Sequence, residues 1–415
     1  MKFCAAWKSW TVVWACSLAL PSNLWSQTDG HAHQKPHETW QYTHSDDRFS
    51  ATMQKLDDAV QNNQGKFSLL YIGGSHVQDG WLGHELRNQW QQFAPHVPIS
   101  RGMMLPYRMA NTNTPTHFRT NFSGTWSGKR CTRNSDAHFF QSIAIHTGIA
   151  VETRSTQSSW THWAYQPDST LHSFQEIEVW TNAKQTEVVW GGANELTSVK
   201  PLPQGIGWIY TLNEPVDTIC FHLKQSNPDE PLQLFGIMGS PSTESTPFFA
   251  LHEWGHNGCK SEHLVNSEGW EALIQRLQPD LILIGVGVND AHTASNLDTT
   301  SFANHMGQFV RNILQLDEDV AILLLSNTIG LPNHPTFTKN NFAVSACLNG
   351  LAQRTPGVGF YDLNSAMGGP ESFGMWHEKG LVKKDEIHFE SNGYIELSKL
   401  IFDSWIEAYA LWRGL

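Results

Sequence analysis

Charge is scarce in this 415-residue chain, at 16% of residues, and basic charge scarcer still: Lys and Arg number 27 against 39 Asp and Glu, for a net charge of −12. No basic stripe interleaved with aromatics occurs, which argues against nucleic acid as a partner. Cysteine is sparse too. Beyond the N-terminal segment only Cys131, Cys220, Cys259 and Cys347 occur, far apart and without a CxxC, so one bridge is conceivable and a disulfide scaffold is not. There is no HExxH or comparable ligand cluster and no GxxxxGK[ST] phosphate cradle, so neither a metal nor a nucleotide or other cofactor is expected. No apolar run reaches membrane-spanning length, and stable membrane insertion is not expected.

What is present starts with a targeting pattern. Lys2 and Lys8 precede the apolar run Thr11 to Leu20, and small residues follow to Ser26, which reads as a secretory signal over residues 1–26. An exported protein, periplasmic or secreted, is expected. Val13-Trp14-Ala15-Cys16 offers a faint lipoprotein pattern, disfavoured by Trp14 and the apolar residues that follow. Residues 27–44 are polar and His-rich, with no carboxylate or Cys at ligand spacing, and read as a linker.

The remainder alternates in texture. A helical pattern from Phe49 to Gln61, a buried-strand pattern from Phe67 to Ile72, the turn Gly73-Gly74-Ser75-His76 and a helix over Val77 to Phe93 open an α/β layer, residues 45–128. From 129 to 242 short β-rich segments, such as Ser142 to Ile149, Glu176 to Trp180 and Thr218 to Leu223, predict an inserted β-sandwich of the jelly-roll sort. Strands at Leu281 to Val286, Val320 to Ser326 and Val358 to Leu363, alternating with helices, return to α/β over 243–415 and predict a parallel sheet. The insert is rich in rings, Trp160, Trp163, Tyr165, Trp180, Trp190 and Trp208. Core packing accounts for most of them, with one or two as ligand contacts.

Four short stretches carry possible chemistry. Ser75 follows a buried strand on a Gly-Gly turn, at the carboxyl edge of the sheet where open α/β folds bind ligands. Asp385-Glu-Ile-His388 sets an acid three residues before an imidazole, a spacing that lets the acid orient the ring toward a serine. Gly285-Val-Gly-Val-Asn289-Asp290 closes an apolar strand with a side-chain amide, and Gly255-His-Asn-Gly258 offers a flexible backbone N–H; both also read as ordinary turns. His76, His256 and His292 fall beside these stretches.

In order, GGSH, GHNGCK, GVND and DEIH resemble the four blocks of the SGNH (GDSL) hydrolase family. The resemblance implies a flavodoxin-like sheet with Ser75 as nucleophile, His388 as base and acid, and Asp385 as its orienter. It also implies an oxyanion hole from the Ser75 amide, the Gly258 amide and the Asn289 side chain. Gly74 stands where the family has an aspartate that braces the block loops, and Asp290 is a candidate to substitute. Tyr71 to Arg87, Arg101 to Pro115 and the β insertion are similar to exported two-domain peptidoglycan O-acetylesterases. That similarity implies removal of O-acetyl groups from a cell-wall or other polysaccharide, with the acetylated glycan as partner. Alternatives are an O-acetyltransferase with the same triad, or a catalytically impaired glycan-binding protein. His76 and Trp376 are the candidates for a substrate cleft. Oligomeric state is not readable.

Overall fold

Strand β1 (Lys66–Gly73) shows why the chain folds as layers, because it is apolar at almost every position and buried from Phe67 onward. Side chains alternate across a strand, so Phe67, Leu69 and Tyr71 enter one core while Leu70 and Ile72 enter the other. The computed structural model describes residues 40–42, 47–115, 117–164, 174–241 and 247–415, of which 162–164 by backbone alone. The expected signal segment, most of the linker, and Tyr165 lie outside the described residues.

Around β1 a six-stranded sheet assembles from β2 (Ile99–Ser100), β3 (Phe248–Gly255), β4 (Leu281–Gly285), β5 (Ala321–Leu325) and β6 (Val358–Tyr361), in the order β6-β5-β4-β1-β3-β2. Every pairing is parallel. Leaving aside the two-residue edge strand β2, this is the doubly wound 2-1-3-4-5 order, whose ligand crevice opens beside the first strand at the carboxyl edge. Helices α1 (Asp47–Val60), α3 (Trp81–Phe93) and α7 (Ser391–Trp412) cover one face. Helices α4 (Trp270–Leu277), α5 (Thr299–Leu316) and α6 (Pro335–Arg354) cover the other. A four-residue helix, α2 (Ser75–Gln78), precedes α3. The single helix expected from Val77 to Phe93 is thus broken, because Gly80 takes a left-handed φ of 84° between α2 and α3.

Between β2 and β3 the chain builds two antiparallel sheets of seven and four strands. They face each other over apolar residues, with Tyr210 of the larger sheet packed on Phe221 of the smaller at 4.9 Å. The expected start at residue 129 is too late: Gly102–Met104, Phe118–Ser123 and Ser127–Arg130 already pair into these sheets. Phe118–Ser123 offers no apolar run, with Arg119, Asn121 and Ser123 polar and exposed. Ser142 to Gly148 is bend and irregular backbone, and the strand begins at Ile149. Trp160 and Trp180 are core residues, while Trp190 and Trp208 are partly buried against that core.

The antiparallel sheets share a core with the face of the parallel sheet that carries α4, and buried Glu178 receives Arg276 Nε of α4 at 2.7 Å. The described residues from Trp40 to Leu415 consequently fall in one compact unit. Cys131, Cys220, Cys259 and Cys347 are all unbridged. Among the described residues no helix is long and apolar enough to cross a membrane.

Candidate active site

Ser75 opens α2 two residues beyond the end of β1, so sheet and helix together hold it at the carboxyl edge. The close fit there is obligatory. A Cβ on Gly255, at the end of β3, would lie 2.3 Å from the Gln78 backbone nitrogen, so only glycine lets β3 approach α2.

The structure brings Ser75 together with both residues of the DxxH turn. Ser75 Oγ lies 2.7 Å from His388 Nε2, and His388 Nδ1 lies 2.8 Å from Asp385 Oδ2. Burial alone would raise the Asp385 carboxyl. The backbone N–H groups of His388 and Ile387, with the imidazole, outweigh that and hold it down at about 2. Near neutral pH Asp385 is therefore an acceptor only, so in the neutral ring the proton sits on Nδ1 and Nε2 faces Ser75 Oγ as an acceptor. The turn that makes this possible is local: Asp385 Oδ1 accepts from the amides of Ile387 at 3.0 Å and His388 at 2.9 Å, with Glu386 left-handed at φ 59°.

Gly258 lies in the turn after β3 and Asn289 in a short helix (Val288–Thr293) after β4, the two strands that flank β1. A Cβ on Gly74 would sit 3.4 Å from Asn289 Nδ2, which places the Asn289 amide beside the residue that precedes Ser75. That amide donates one hydrogen to the Cys259 carbonyl at 3.1 Å and has a second. Gly258 is exposed with φ 79°, and open space surrounds the position a Cβ would take. Asp290, the candidate replacement for the missing aspartate, instead holds Ser261: its Oδ1 accepts the Ser261 hydroxyl at 2.7 Å and the Ser261 amide at 3.2 Å. Burial raises its carboxyl above the usual range.

His76 is half-buried, with Nδ1 3.1 Å from the Tyr394 hydroxyl and its ring 5.4 Å from that of His388. Burial, with the neighbouring His388, pushes it down to about 3, so it stays neutral beside the His388 imidazole. Trp376 does not wall a cleft. It is 5% exposed, donates to the Met367 carbonyl at 3.1 Å, and packs edge-on against Phe389 at 5.7 Å, buttressing the turn from within the core. His256 is buried against the Thr147 carbonyl at 2.9 Å, and His292 is exposed.

Sequence reading missed Gln78, Asp79, Lys383 and Tyr394. Lys383 spans from Asp79 of the serine segment, 3.5 Å away, to the Tyr394 ring at 5.9 Å, tying the DxxH turn to both. None of the four carries a local signal, since their partners lie far along the chain.

The GDSL-like lipase/acylhydrolase family model matches residues 243–394. That segment holds Gly258, Asn289, Asp385 and His388, while Ser75 lies upstream of it, beyond the antiparallel sheets. Among solved structures, the chain is similar to a peptidoglycan O-acetylesterase at 20% identity and a TM-score of 0.66, covering 88% of this chain and 96% of that one. This chain has the SGNH hydrolase fold. It also aligns with a family 3 carbohydrate esterase of Clostridium thermocellum (17% identity, 42% of this chain and 76% of that, TM-score 0.31). A lipase/acylhydrolase from Enterococcus faecalis aligns at 17% identity over 38% of this chain and 75% of that, with a TM-score of 0.29. No curated protein matches the sequence.

Proposed function

We propose that this SGNH hydrolase is an exported serine esterase that removes O-acetyl groups from a cell-wall or related polysaccharide. The observation that carries the reading is the hydrogen-bonded chain from Ser75 Oγ through His388 to Asp385, with 2.7 and 2.8 Å links. His388 Nε2 takes the hydroxyl proton as Ser75 Oγ attacks the acetyl carbonyl. The oxyanion is held by the amides of Ser75 and Gly258 and by Asn289 Nδ2. His388 then returns the proton to the departing sugar oxygen, and water, deprotonated by the same nitrogen, releases acetate from the acetyl-serine. Asp385 keeps the ring in the one tautomer that can serve both steps.

The glycan assignment is supported by the fold's similarity to a peptidoglycan O-acetylesterase over the antiparallel sheets as well as the α/β layer. Export is supported by the sequence pattern of residues 1–26. The test is acetate release from O-acetylated peptidoglycan and acetylated xylan by the wild type and Ser75→Ala. Release lost in the variant is expected, with the better substrate naming the glycan. A folded wild type that binds glycan and releases nothing would favour the impaired-enzyme reading.

A further inference from the structure

The loop that follows β3 is pinned at every second residue, and the first pin comes from a residue with no assigned role. Cys259 O is held by Asn289 Nδ2, and Ser261 is held by Asp290. Asn257 N–H donates to Gln78 Oε1 at 2.6 Å. The Gln78 side chain is 1% exposed, and its amide nitrogen donates to Thr112 Oγ1 at 3.0 Å and to the Asn113 carbonyl at 2.7 Å. Donors to the 112–113 loop fix which way the amide faces, leaving its oxygen no orientation except toward Asn257. Gln78 also lies one turn beyond Ser75 on α2, so its position is locked to that of the serine.

We propose that Gln78 is the positioning residue that holds the His256–Asn257 peptide and through it sets the Gly258 amide, one residue on, relative to Ser75, supplying the loop bracing that Gly74 lacks a side chain to give. This inference rests on the reading of Ser75 as nucleophile and of the Gly258 amide as an oxyanion donor. A misaimed donor weakens binding of the developing oxyanion more than binding of the neutral ester. Loss of the brace therefore lowers kcat and leaves KM nearly unchanged.

The test compares wild type, Gln78→Met and Gln78→Glu on p-nitrophenyl acetate, with the thermal transition of each and amide hydrogen exchange at Asn257. Gln78→Met is expected to lower kcat roughly 10- to 100-fold with KM within about threefold, and to lose exchange protection at Asn257. Gln78→Glu keeps an acceptor for that amide and recovers part of kcat; it carries the test should Gln78→Met fail to fold. A folded Gln78→Met with kcat within about twofold of wild type, or with KM raised and kcat unchanged, overturns the proposal. Should the wild type turn over no ester, the serine reading fails, and exchange at Asn257 still decides whether Gln78 holds the loop: unchanged protection in Gln78→Met overturns it.

Discussion

The two ends of the Ser75–His388–Asp385 chain are held in different ways. Ser75 sits where a buried parallel strand meets a short helix, and its surroundings leave no room for a methyl group on Gly255. Asp385 and His388 sit on a turn, with side chains 50% and 32% exposed, closed by hydrogen bonds within four residues. The fold aims the serine; a local turn aims the imidazole. Substitutions at the turn should therefore separate chemistry from stability, whereas those around the serine should couple them.

The largest separation is expected for His388→Ala, with kcat lowered about 10⁴-fold or more and a thermal transition close to wild type. A large fall in stability would mean that the turn is part of the core after all. Asp385→Asn should lower kcat by roughly 10²- to 10⁴-fold, because an amide at that position stabilises the wrong tautomer. Steady-state kinetics beside circular dichroism check both variants. On the serine side, Gly255→Ala should cost about 1–3 kcal/mol in denaturant unfolding, since its methyl group meets backbone rather than a movable side chain. A neutral result there would erase the contrast.

The smallest effect is in pH. The Asp385 carboxyl is held at about 2, below its unfolded value, so its contribution is fully present above the unfolded value of about 3.9 and is lost as pH falls toward 2. Because the side chain is half exposed, solvent screening keeps this below about 1 kcal/mol. Melting of wild type and Asp385→Asn between pH 6 and pH 2 should show the difference narrowing as acid is added. A gap that widens would contradict the sign.

The same contrast governs what the sequence made legible. The run Phe67 to Ile72 announced a buried strand, and Asp385-x-x-His388 announced an acid paired with an imidazole, because both are local patterns. Phe248–Gly255, a central strand, escaped because it carries His252 and Glu253. Both are accommodated only by distant partners, His252 by the Met103 amide at 3.2 Å and Glu253 by Arg87 at 2.8 Å. Phe118–Ser123 and Ser127–Arg130 escaped because edge segments keep their polar residues, and Gly102–Met104 because three residues are too few to show a pattern. Gln78 was invisible as a brace because its meaning lies in residues 34, 35 and 179 positions away.

The central claim is that Ser75 carries the acetyl group. Rapid acid quenching during turnover of an acetyl ester, followed by mass spectrometry of the Ser75 peptide, tests it most directly. One added acetyl group on Ser75 in the wild type, absent in Ser75→Ala along with acetate release, is the predicted result. Acetate release that persists in Ser75→Ala, with no acetyl group on the wild-type Ser75 peptide, would contradict the account.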